Sequence, residues 1–319
     1  MIEMNIEECL KAIDGELLSG ISEKVFRGVS IDSRTLKEDE LFICIRGDRF
    51  DGHDFIEEAK NKKAAAIVLS DSGDEVLKRE EIPVVVRVDD TLEALQELAR
   101  FHRRKMSVQV VGITGTNGKS TTKEMTAAIT EKKFKTVKTK GNLNNHIGLP
   151  LSIFHISKND EVAIVEMGMS ASGEIKRLAE IAQPQIGVLT NITEGHMVEL
   201  RTLKDIQAAK GELYESLDDQ GIAIVNADDP LVLELVKYVR GKVVTYGINN
   251  EADVKVEGIR SMGRQGFNLN VHFFKEKIPV SLPFLGECNI YNALAAMATG
   301  CSLGMALEDI QDGLRNTKL

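Results

Sequence analysis

The sequence contains few cysteines, and their spacing is not that of a metal site. The four are Cys9, Cys44, Cys288 and Cys301. No two of them form a CxxC pair, so neither a zinc site nor a disulfide framework is indicated. We therefore expect reduced thiols, as in a cytosolic protein.

Long apolar runs and an excess of basic charge are also missing. No apolar stretch approaches the roughly 18 residues typical of a membrane span. The first residues, MIEMNIEECLKAI, are acidic and amphipathic, unlike a signal peptide. A net charge of −9 argues against a general nucleic-acid-binding protein, although loops and helix ends can still bind small anions. We expect a cytoplasmic protein that neither binds nucleic acid nor inserts into a membrane.

The chain does contain a series of short apolar strands separated by helix-like stretches. Its 319 residues, 43% of them hydrophobic, suffice for two or three domains with their own cores. Residues 1–88 predict a small N-terminal α/β domain, from the strand-like runs ELFICI, AAAIVLS and IPVVVRV and the helix-like HDFIEEAKNKKA. The stretch 89–106 has helical spacing and opens with good N-cap residues, so it predicts a connecting helix.

Residues 89–314 are expected to form a larger central domain of the P-loop type. Its predicted strands are VQVVGIT, EVAIVEM, QIGVLTNI, GIAIVNA and KVVTYGI. Helical stretches separate most of them, which favours a mostly parallel sheet covered on both faces. Residues 252–285 instead alternate polar and apolar side chains between Gly-rich turns and predict an antiparallel extension. The expected fold class is therefore α/β, and NIYNALAAMATGCSLG predicts a helix near the end of the domain.

The segment GITGTNGKSTTKEM, residues 112–125, joins a predicted strand to a predicted helix and is typical of a phosphate-binding loop. Its Gly-Lys-Ser ending matches the strict P-loop pattern, but Ile113 occupies the position of the first glycine. Backbone amides of such a loop converge on phosphate at a helix N-terminus. Lys119 would neutralise phosphate charge, and the hydroxyl of Ser120 or Thr121 could bind Mg²⁺. The alternative is an ordinary strand-to-helix turn with a surface lysine. The predicted nucleotide-binding residues are Gly115, Thr116, Asn117, Gly118, Lys119, Ser120 and Thr121.

The variant TGTNGKST resembles the phosphate loop of the Mur ligase superfamily, whose members use ATP to join a carboxylate to an amine. SIDSRTLKEDELFICIRGDRFDGHDF, residues 30–55, is similar to the domain that holds the uridine nucleotide in the later peptidoglycan ligases. The resemblance spans nearly all of the chain. Further segments with the family's order and spacing are GNLNNHIGLPLSIF (141–154), AIVEMGMSASGEI (163–175), AAKGELYESL (208–217), NADDP (226–230) and NIYNALAA (289–296).

This resemblance implies ATP and Mg²⁺ as cofactors, and UDP-N-acetylmuramoyl-tripeptide and D-alanyl-D-alanine as the substrates joined through an acyl phosphate. A monomer is expected, although no sequence feature reports the oligomeric state. The family also carries a third, C-terminal Rossmann-like domain, of which residues 315–319 would be the beginning. On this interpretation the 319 residues bind nucleotide but ligate poorly or not at all.

The resemblance also implies roles for individual residues of the ATP site. Glu166, at the end of an apolar strand, would bind Mg²⁺. His196 would serve a second metal ion, although the family usually shows Leu-Glu after its histidine and this chain reads TEGHMVEL. Lys210 would be carbamylated, a reaction that needs a neutral amine, which nearby cations or burial can supply; its own surroundings indicate an ordinary helix-surface lysine. The expected catalytic residues are Lys119, Lys210 and His196, and the expected metal ligands are Ser120, Glu166, His196 and Lys210.

Asparagines carry most of the remaining predicted contacts. Asn289 and Asn292, three residues apart on one helix face, would contact the adenine side of the nucleotide, and Cys288 stands where the family commonly has histidine. Without the resemblance, Asn289 would be read as a helix N-cap. The expected residues for the uridine nucleotide and sugar-diphosphate are Ser33, Arg34, Asn142, Asn144 and Asn145.

Three other functions remain open at this stage. The chain could be another ligase of the superfamily, such as the one adding the third amino acid or a folylpolyglutamate-type synthetase, although the DSR and DGHDF segments disfavour the latter. It could be a non-catalytic nucleotide-binding module. A P-loop motor or GTPase is disfavoured because the strand after the loop ends in Glu166 and no convincing Walker B aspartate follows.

Overall fold

The computed structural model describes residues 2–47, 49–70, 84–194, 202–273 and 276–318. The chain divides by packing into two compact units, Met1–Met106 with Pro150–Ser157, and Ser107–Leu149 with Lys158–Leu319. The predicted connecting helix therefore groups with the first unit, and the functional boundary expected at residue 88 stays a prediction. Within the described ranges, no helix is long and apolar enough to cross a membrane.

The first unit is built on a five-stranded sheet of order β2-β7-β6-β5-β4. Strands β4 to β7 are parallel, and β2 joins the edge antiparallel. Strands β5 and β6 are buried along their whole length, as the continuous apolar runs of covered parallel strands require. The bounds are β1 (Glu3–Asn5), α1 (Ile6–Ile13), β2 (Glu16–Ser19), β3 (Val25–Arg27), β4 (Val29–Ser30), β5 (Leu41–Ile43), α2 (Ile56–Asn61), β6 (Ala66–Leu69), β7 (Val85–Arg87) and α3 (Thr91–Arg104), with a 3-10 helix at Gly52–Phe55.

The second unit contains a nine-stranded sheet of order β16-β15-β14-β13-β12-β11-β8-β10-β9. Its strands are β8 (Gln109–Thr114), β9 (Thr136–Lys138), β10 (Val162–Glu166), β11 (Ile186–Leu189), β12 (Ile222–Asn226), β13 (Lys242–Gly247), β14 (Val254–Ser261), β15 (Phe267–Phe273) and β16 (Glu276–Leu282). Its helices are α4 (Lys119–Thr130), α6 (Glu174–Ala182), α7 (Leu203–Glu215), α8 (Pro230–Leu233), α9 (Cys288–Ser302) and α10 (Leu307–Arg315), with 3-10 helices at Glu234–Tyr238 and Gly263–Gln265. Helix α5 (Gly148–Ile153) crosses the division between the units along the chain.

The pairing of these strands confirms the predicted mostly parallel sheet with an antiparallel extension. Neighbours from β9 to β14 run parallel, and β14, β15 and β16 form the antiparallel part. The strand order reverses at β8, because β10 pairs with one side of β8 and β11 pairs with the other. The carboxyl ends of these three strands meet at one edge, where open α/β sheets bind ligands.

Helices α4 and α9 lie close together over this sheet and share its apolar core. Short side chains on α9 permit the approach. A Cβ atom built on Gly300 would come within 2.9 Å of the Ile129 side chain on α4. The same approach brings the first turn of α9 beside the first turn of α4, where the predicted site residues lie.

Candidate functional site

The loop between β8 and α4 has a backbone shape that depends on glycine. Gly115 has φ +147 and Gly118 has φ +83. A Cβ atom on Gly115 would lie 1.9 Å from Thr190 Oγ1, and one on Gly118 would lie 2.2 Å from Asn292 Oδ1. No side chain caps α4 at Gly118, so the first amides of the helix point into the site without a side-chain acceptor. This is the geometry of an anion-binding helix terminus.

A second segment, which directly follows β11, fixes this loop from the side. The Asn191 side chain accepts from the Asn117 amide and donates to the Asn117 carbonyl, both at 3.0 Å. Thr190 Oγ1 donates to the same carbonyl at 2.6 Å. Thr116 and Thr193 exchange two further bonds, of 3.2 and 3.1 Å. The loop is therefore held in place before any ligand arrives.

Two lysines of the predicted site lie near each other. Lys119 donates to the carbonyls of Gly115 and Thr116 at 2.9 and 3.0 Å, and burial lowers its pKa although the Glu166 carboxylate opposes the shift. Lys210, on α7, is only 5% exposed and is not the surface lysine that its local sequence indicates. Burial, followed by the charge of Lys119, lowers the pKa of Lys210 to about 7. Near neutral pH, a substantial fraction of this amine is therefore uncharged.

Glu166 ends β10 and is held by two other predicted residues. Its Oε2 accepts from Ser120 Oγ and its Oε1 from Asn144 Nδ2, both at 2.8 Å. The residue is 2% exposed, and the Lys123 ammonium lies 3.8 Å from Oε2. The described residues contain no group of three or more His, Cys, Asp or Glu that could hold a metal ion. The hydroxyl of Ser120 and the carboxylate of Glu166 nevertheless supply the hard oxygen ligands that suit Mg²⁺.

A cleft of about 820 Å³ opens beside the phosphate loop, within the size range of small-molecule sites. Asn292 is buried in its wall, accepts from Thr122 Oγ1 at 3.3 Å and donates to Asn289 Oδ1 at 3.1 Å. Asn289 lies inside α9, which begins at Cys288, so the N-cap interpretation is wrong. The lining residues are Asn117, Gly118, Thr121, Asn191, Ile192, Thr193, Asn226, Asp228, Asp229, Pro230, Leu231, Cys288, Asn289, Tyr291 and Asn292.

Asp228 also lines the cleft, a role that the sequence did not suggest. Its carboxylate accepts from the amides of Ile248, Asn249 and Asn250 and from the Tyr291 hydroxyl, the last at 3.0 Å. Burial acts to raise the pKa of Asp228, but these hydrogen bonds outweigh it and the pKa is lowered. A fixed anion therefore lies on this wall.

The residues expected to contact the uridine nucleotide belong to the first unit. Ser33 is buried and donates to Glu58 Oε2 at 2.8 Å. Arg34 is exposed, and its guanidinium donates to the Asp32 carboxylate. The hydrogen bonds from Arg34 lower the pKa of Asp32. Lys62 donates to the carbonyls of Ser33 and Arg34 at 2.7 and 2.8 Å. The turn is rigidly held and leaves the outer side of Arg34 accessible.

The other predicted asparagines differ in what they contact. Asn144 reaches Glu166, whereas Asn145 accepts from the amides of Ile147 and Gly148 and so caps α5. Asn142 is exposed. His196 lies outside the described residues.

Sequence reasoning missed Lys123 and the Thr190–Asn191 pair. The predicted strand QIGVLTNI extends to Ile192 and so includes Thr190 and Asn191, whereas β11 ends at Leu189. Polar residues at the end of an apolar run were the available signal. Lys123 had a signal too, since it lies one helical turn after Lys119 on the face that leads to the loop.

These features define an α/β protein with a phosphate-binding loop at the carboxyl edge of a parallel sheet. Two family models match the chain, Mur ligase middle domain over residues 113–300 and Mur ligase family, catalytic domain over residues 25–103. The UDP-N-acetylmuramoyl-tripeptide–D-alanyl-D-alanine ligase of Bacillus subtilis (strain 168) is 37% identical, over 100% of this chain and 68% of the relative. The chain belongs to the Mur ligase family.

Solved structures agree with this assignment. A crystal structure of MurF from Acinetobacter baumannii superimposes with a TM-score of 0.93 at 29% identity and covers 100% of this chain and 69% of its own. The structure of MurF ligase from Thermotoga maritima in complex with ADP has a TM-score of 0.82 at 29% identity, and it covers 92% of this chain and 66% of its own.

Proposed function

We propose that this chain is an ATP-dependent ligase that joins D-alanyl-D-alanine to UDP-N-acetylmuramoyl-tripeptide, a reaction of peptidoglycan precursor synthesis. The observation that carries the proposal is the arrangement at one sheet edge. The uncapped terminus of α4, Lys119 and the Ser120–Glu166 pair lie together there, and the α4 terminus also borders a cleft of about 820 Å³. The Bacillus subtilis relative, named for this activity, matches the chain over its whole length.

The reaction would proceed in two steps. The terminal carboxylate of the tripeptide attacks the γ-phosphorus of ATP, the bond to the bridging oxygen breaks, and ADP and an acyl phosphate form. The amine of D-alanyl-D-alanine then attacks the acyl carbon, loses a proton, and the tetrahedral intermediate expels inorganic phosphate. Catalysis of this kind depends on positioning and on charge stabilisation.

The phosphate loop would supply both. Amides at the start of α4 would bind phosphate oxygens. Lys119 would exchange its present acceptors, the carbonyls of Gly115 and Thr116, for phosphate oxygens and so offset the charge of the transferred group. Asn289 and Asn292 line the cleft and would contact the adenine side of the nucleotide.

Ser120 and Glu166 would hold Mg²⁺, which when bound would neutralise phosphate charge. Asn144 would orient Glu166 through its bond to Oε1. We further propose that Lys210 is carbamylated, because its burial beside Lys119 lowers its pKa to about 7 and leaves neutral amine to react with carbon dioxide. The reaction releases a proton and leaves an anion suited to a metal site.

The first unit is proposed to bind the uridine nucleotide through Ser33 and Arg34, and the second unit to bind ATP. Asn142, Asn144 and Asn145 would lie along the sugar-diphosphate. The monomeric state, the cytoplasmic location and the part of His196 stay predictions from the sequence.

Titration of the 319-residue chain with ATP and ADP tests the site. We expect Lys119→Ala to weaken ATP binding by about tenfold or more, since it removes a partly buried charge beside the phosphates. Lys132→Ala is the matched control, because Lys132 pairs with Asp312 on the surface. Unchanged ATP binding in Lys119→Ala would show that the phosphate-loop assignment is wrong.

The choice of amine tests the reaction. Turnover by these 319 residues is expected to be slow, but the ADP release that occurs should require UDP-N-acetylmuramoyl-tripeptide and rise on addition of D-alanyl-D-alanine, with the extended peptide detected by mass spectrometry. Turnover that instead requires the dipeptide acceptor and a third amino acid would assign the neighbouring ligase activity. ATP binding without any amine-dependent turnover would favour a nucleotide-binding module.

A further inference from the structure

Lys123 is a buried cation that the proposed mechanism does not use. It lies on α4, one helical turn after Lys119, and its side chain is 2% exposed. Its ammonium lies 3.8 Å from Glu166 Oε2, 3.3 Å from Glu124 Oε1 and 3.4 Å from the Gly141 carbonyl. A buried ammonium is unfavourable unless it is paired, so the two neighbouring carboxylates stabilise the charged form of Lys123.

The contacts of Glu166 show what this cation does. Oε2, the oxygen nearest Lys123, also accepts from Ser120, and it is the oxygen that a metal ion would share with the Ser120 hydroxyl. Oε1 is occupied by Asn144. Both carboxylate oxygens therefore have partners within the chain, and a positive charge lies beside the place that a divalent cation would take.

The surrounding charges are balanced in pairs. Lys138, on β9, forms an ion pair with the other oxygen of Glu124, so two lysines face two carboxylates. A free cation that approaches Glu166 would therefore meet little net negative charge from these described residues, and the ammonium of Lys123 would repel it, as would the nearby charge of Lys119. The phosphates of a nucleotide would supply the missing negative charge and additional oxygen ligands.

We propose that Lys123 is a positioning residue that closes the Glu166 site to free divalent cations, so that Mg²⁺ enters only together with the nucleotide. The inference rests on the metal site of the proposed function. Lys123 would control the order in which nucleotide and metal bind, and it would do so through its contact with Glu166. It would not contact the substrate.

Binding of Mn²⁺ alone, followed by electron paramagnetic resonance on the nucleotide-free chain, tests the proposal. The wild type should show no site tighter than about millimolar, whereas Lys123→Met should gain one site about tenfold tighter, the scale of one partly screened charge interaction. Lys138→Met is the matched control, because it removes a cation that contacts Glu124 but not Glu166. It should leave Mn²⁺ binding within about twofold of wild type.

Two further variants show whether the effect acts through Glu166. The gained site should disappear when Lys123→Met is combined with Glu166→Gln, and Lys123→Arg, which keeps the charge, should bind Mn²⁺ as weakly as wild type. Equal Mn²⁺ affinity of Lys123→Met and wild type, with ADP binding intact, would overturn the proposal. If Lys123→Met does not fold, the wild type still decides: a nucleotide-free Mn²⁺ site tighter than about 0.1 mM that Glu166→Gln removes would overturn it equally.

Failure of the metal site itself would look different. In that case Glu166→Gln would leave the Mg²⁺-dependent gain in ADP affinity unchanged, which contradicts the proposed function. If Glu166→Gln abolishes the Mg²⁺-dependent gain in ADP affinity but Lys123→Met does not change Mn²⁺ binding, only the inference about Lys123 is contradicted.

Discussion

Asn191 offers a direct test of whether the phosphate loop is held in place before the ligand binds. Its side chain makes two hydrogen bonds to the backbone of Asn117, one to the amide and one to the carbonyl. Asn191→Ala removes both and leaves Thr190 Oγ1 as the side-chain bond to that carbonyl. The loop then has fewer constraints in the free protein.

The expected size follows from these contacts. A hydrogen bond of this kind contributes about 1 kcal/mol net, and water replaces part of it at a half-buried site. We therefore expect a loss of about 1–2 kcal/mol in the free energy that orders the loop. Because the loop must be ordered when nucleotide is bound, the same amount weakens ADP binding by roughly fivefold to thirtyfold.

Isothermal titration with ADP measures the affinity, and thermal unfolding measures stability. Thr193→Ala is the matched control, since it removes only a bond of 3.3 Å to the Asn117 side chain while the Thr193 backbone keeps its bonds to Thr116. We expect it to bind ADP within about twofold of wild type. Wild-type affinity in Asn191→Ala, or an equal loss in both variants, would refute the reasoning.

Two further predictions concern the glycine of the loop and the buried lysine of α7. Gly118→Ala should lower ADP affinity, because its Cβ would lie 2.2 Å from Asn292 Oδ1; Gly173→Ala, with a similar φ of +86 and no atom within 4 Å of its Cβ, should show only the backbone strain of about 1–2 kcal/mol in chemical denaturation. Equal ADP affinities of Gly118→Ala and Gly173→Ala would contradict this prediction. Lys210 has a folded-state pKa of about 7, below that of the unfolded chain, so the unfolded state binds the extra proton above pH 7. Relative to Lys210→Met in carbonate-free buffer, the unfolding free energy of wild type should therefore rise from about pH 7 to 10, by at most roughly 1.4 kcal/mol per unit, and parallel curves would contradict it.

Much of the second unit could be predicted because its strands are long apolar runs. Strands β8, β10, β12 and β13 lie within the predicted stretches. Strand β9 was missed, since its three residues, TVK, are too few to carry a periodic signal. Helix α3 ends within two residues of its prediction at either end, because Asp90 caps it through bonds to Leu92 and Glu93.

The candidate site was less accessible to sequence reasoning than the fold. The phosphate loop and Glu166 could be found because each directly follows a strand. The bonds between Asn117 and Asn191 join residues 74 positions apart, and no local pattern reports such a contact. Likewise, the burial of Lys210 depends on what covers α7, and the composition of AAKGEL is equally compatible with a solvent-facing lysine.

The charge of the whole chain is a poor guide to the charge of this site. The net charge is −9, yet Lys123 and Lys210 are buried and Lys119 is half-buried at or near one edge of one sheet. Withdrawing cations from water is unfavourable, and within the described residues Lys123 is the one of these three lysines that lies within 4 Å of carboxylate oxygens. Folding must therefore overcome the unfavourable desolvation of Lys119 and Lys210, and the same desolvation lowers the pKa of both lysines. A cation such as Lys119 that is already partly desolvated loses less hydration when phosphate binds, which makes it more effective there than a mobile surface lysine would be.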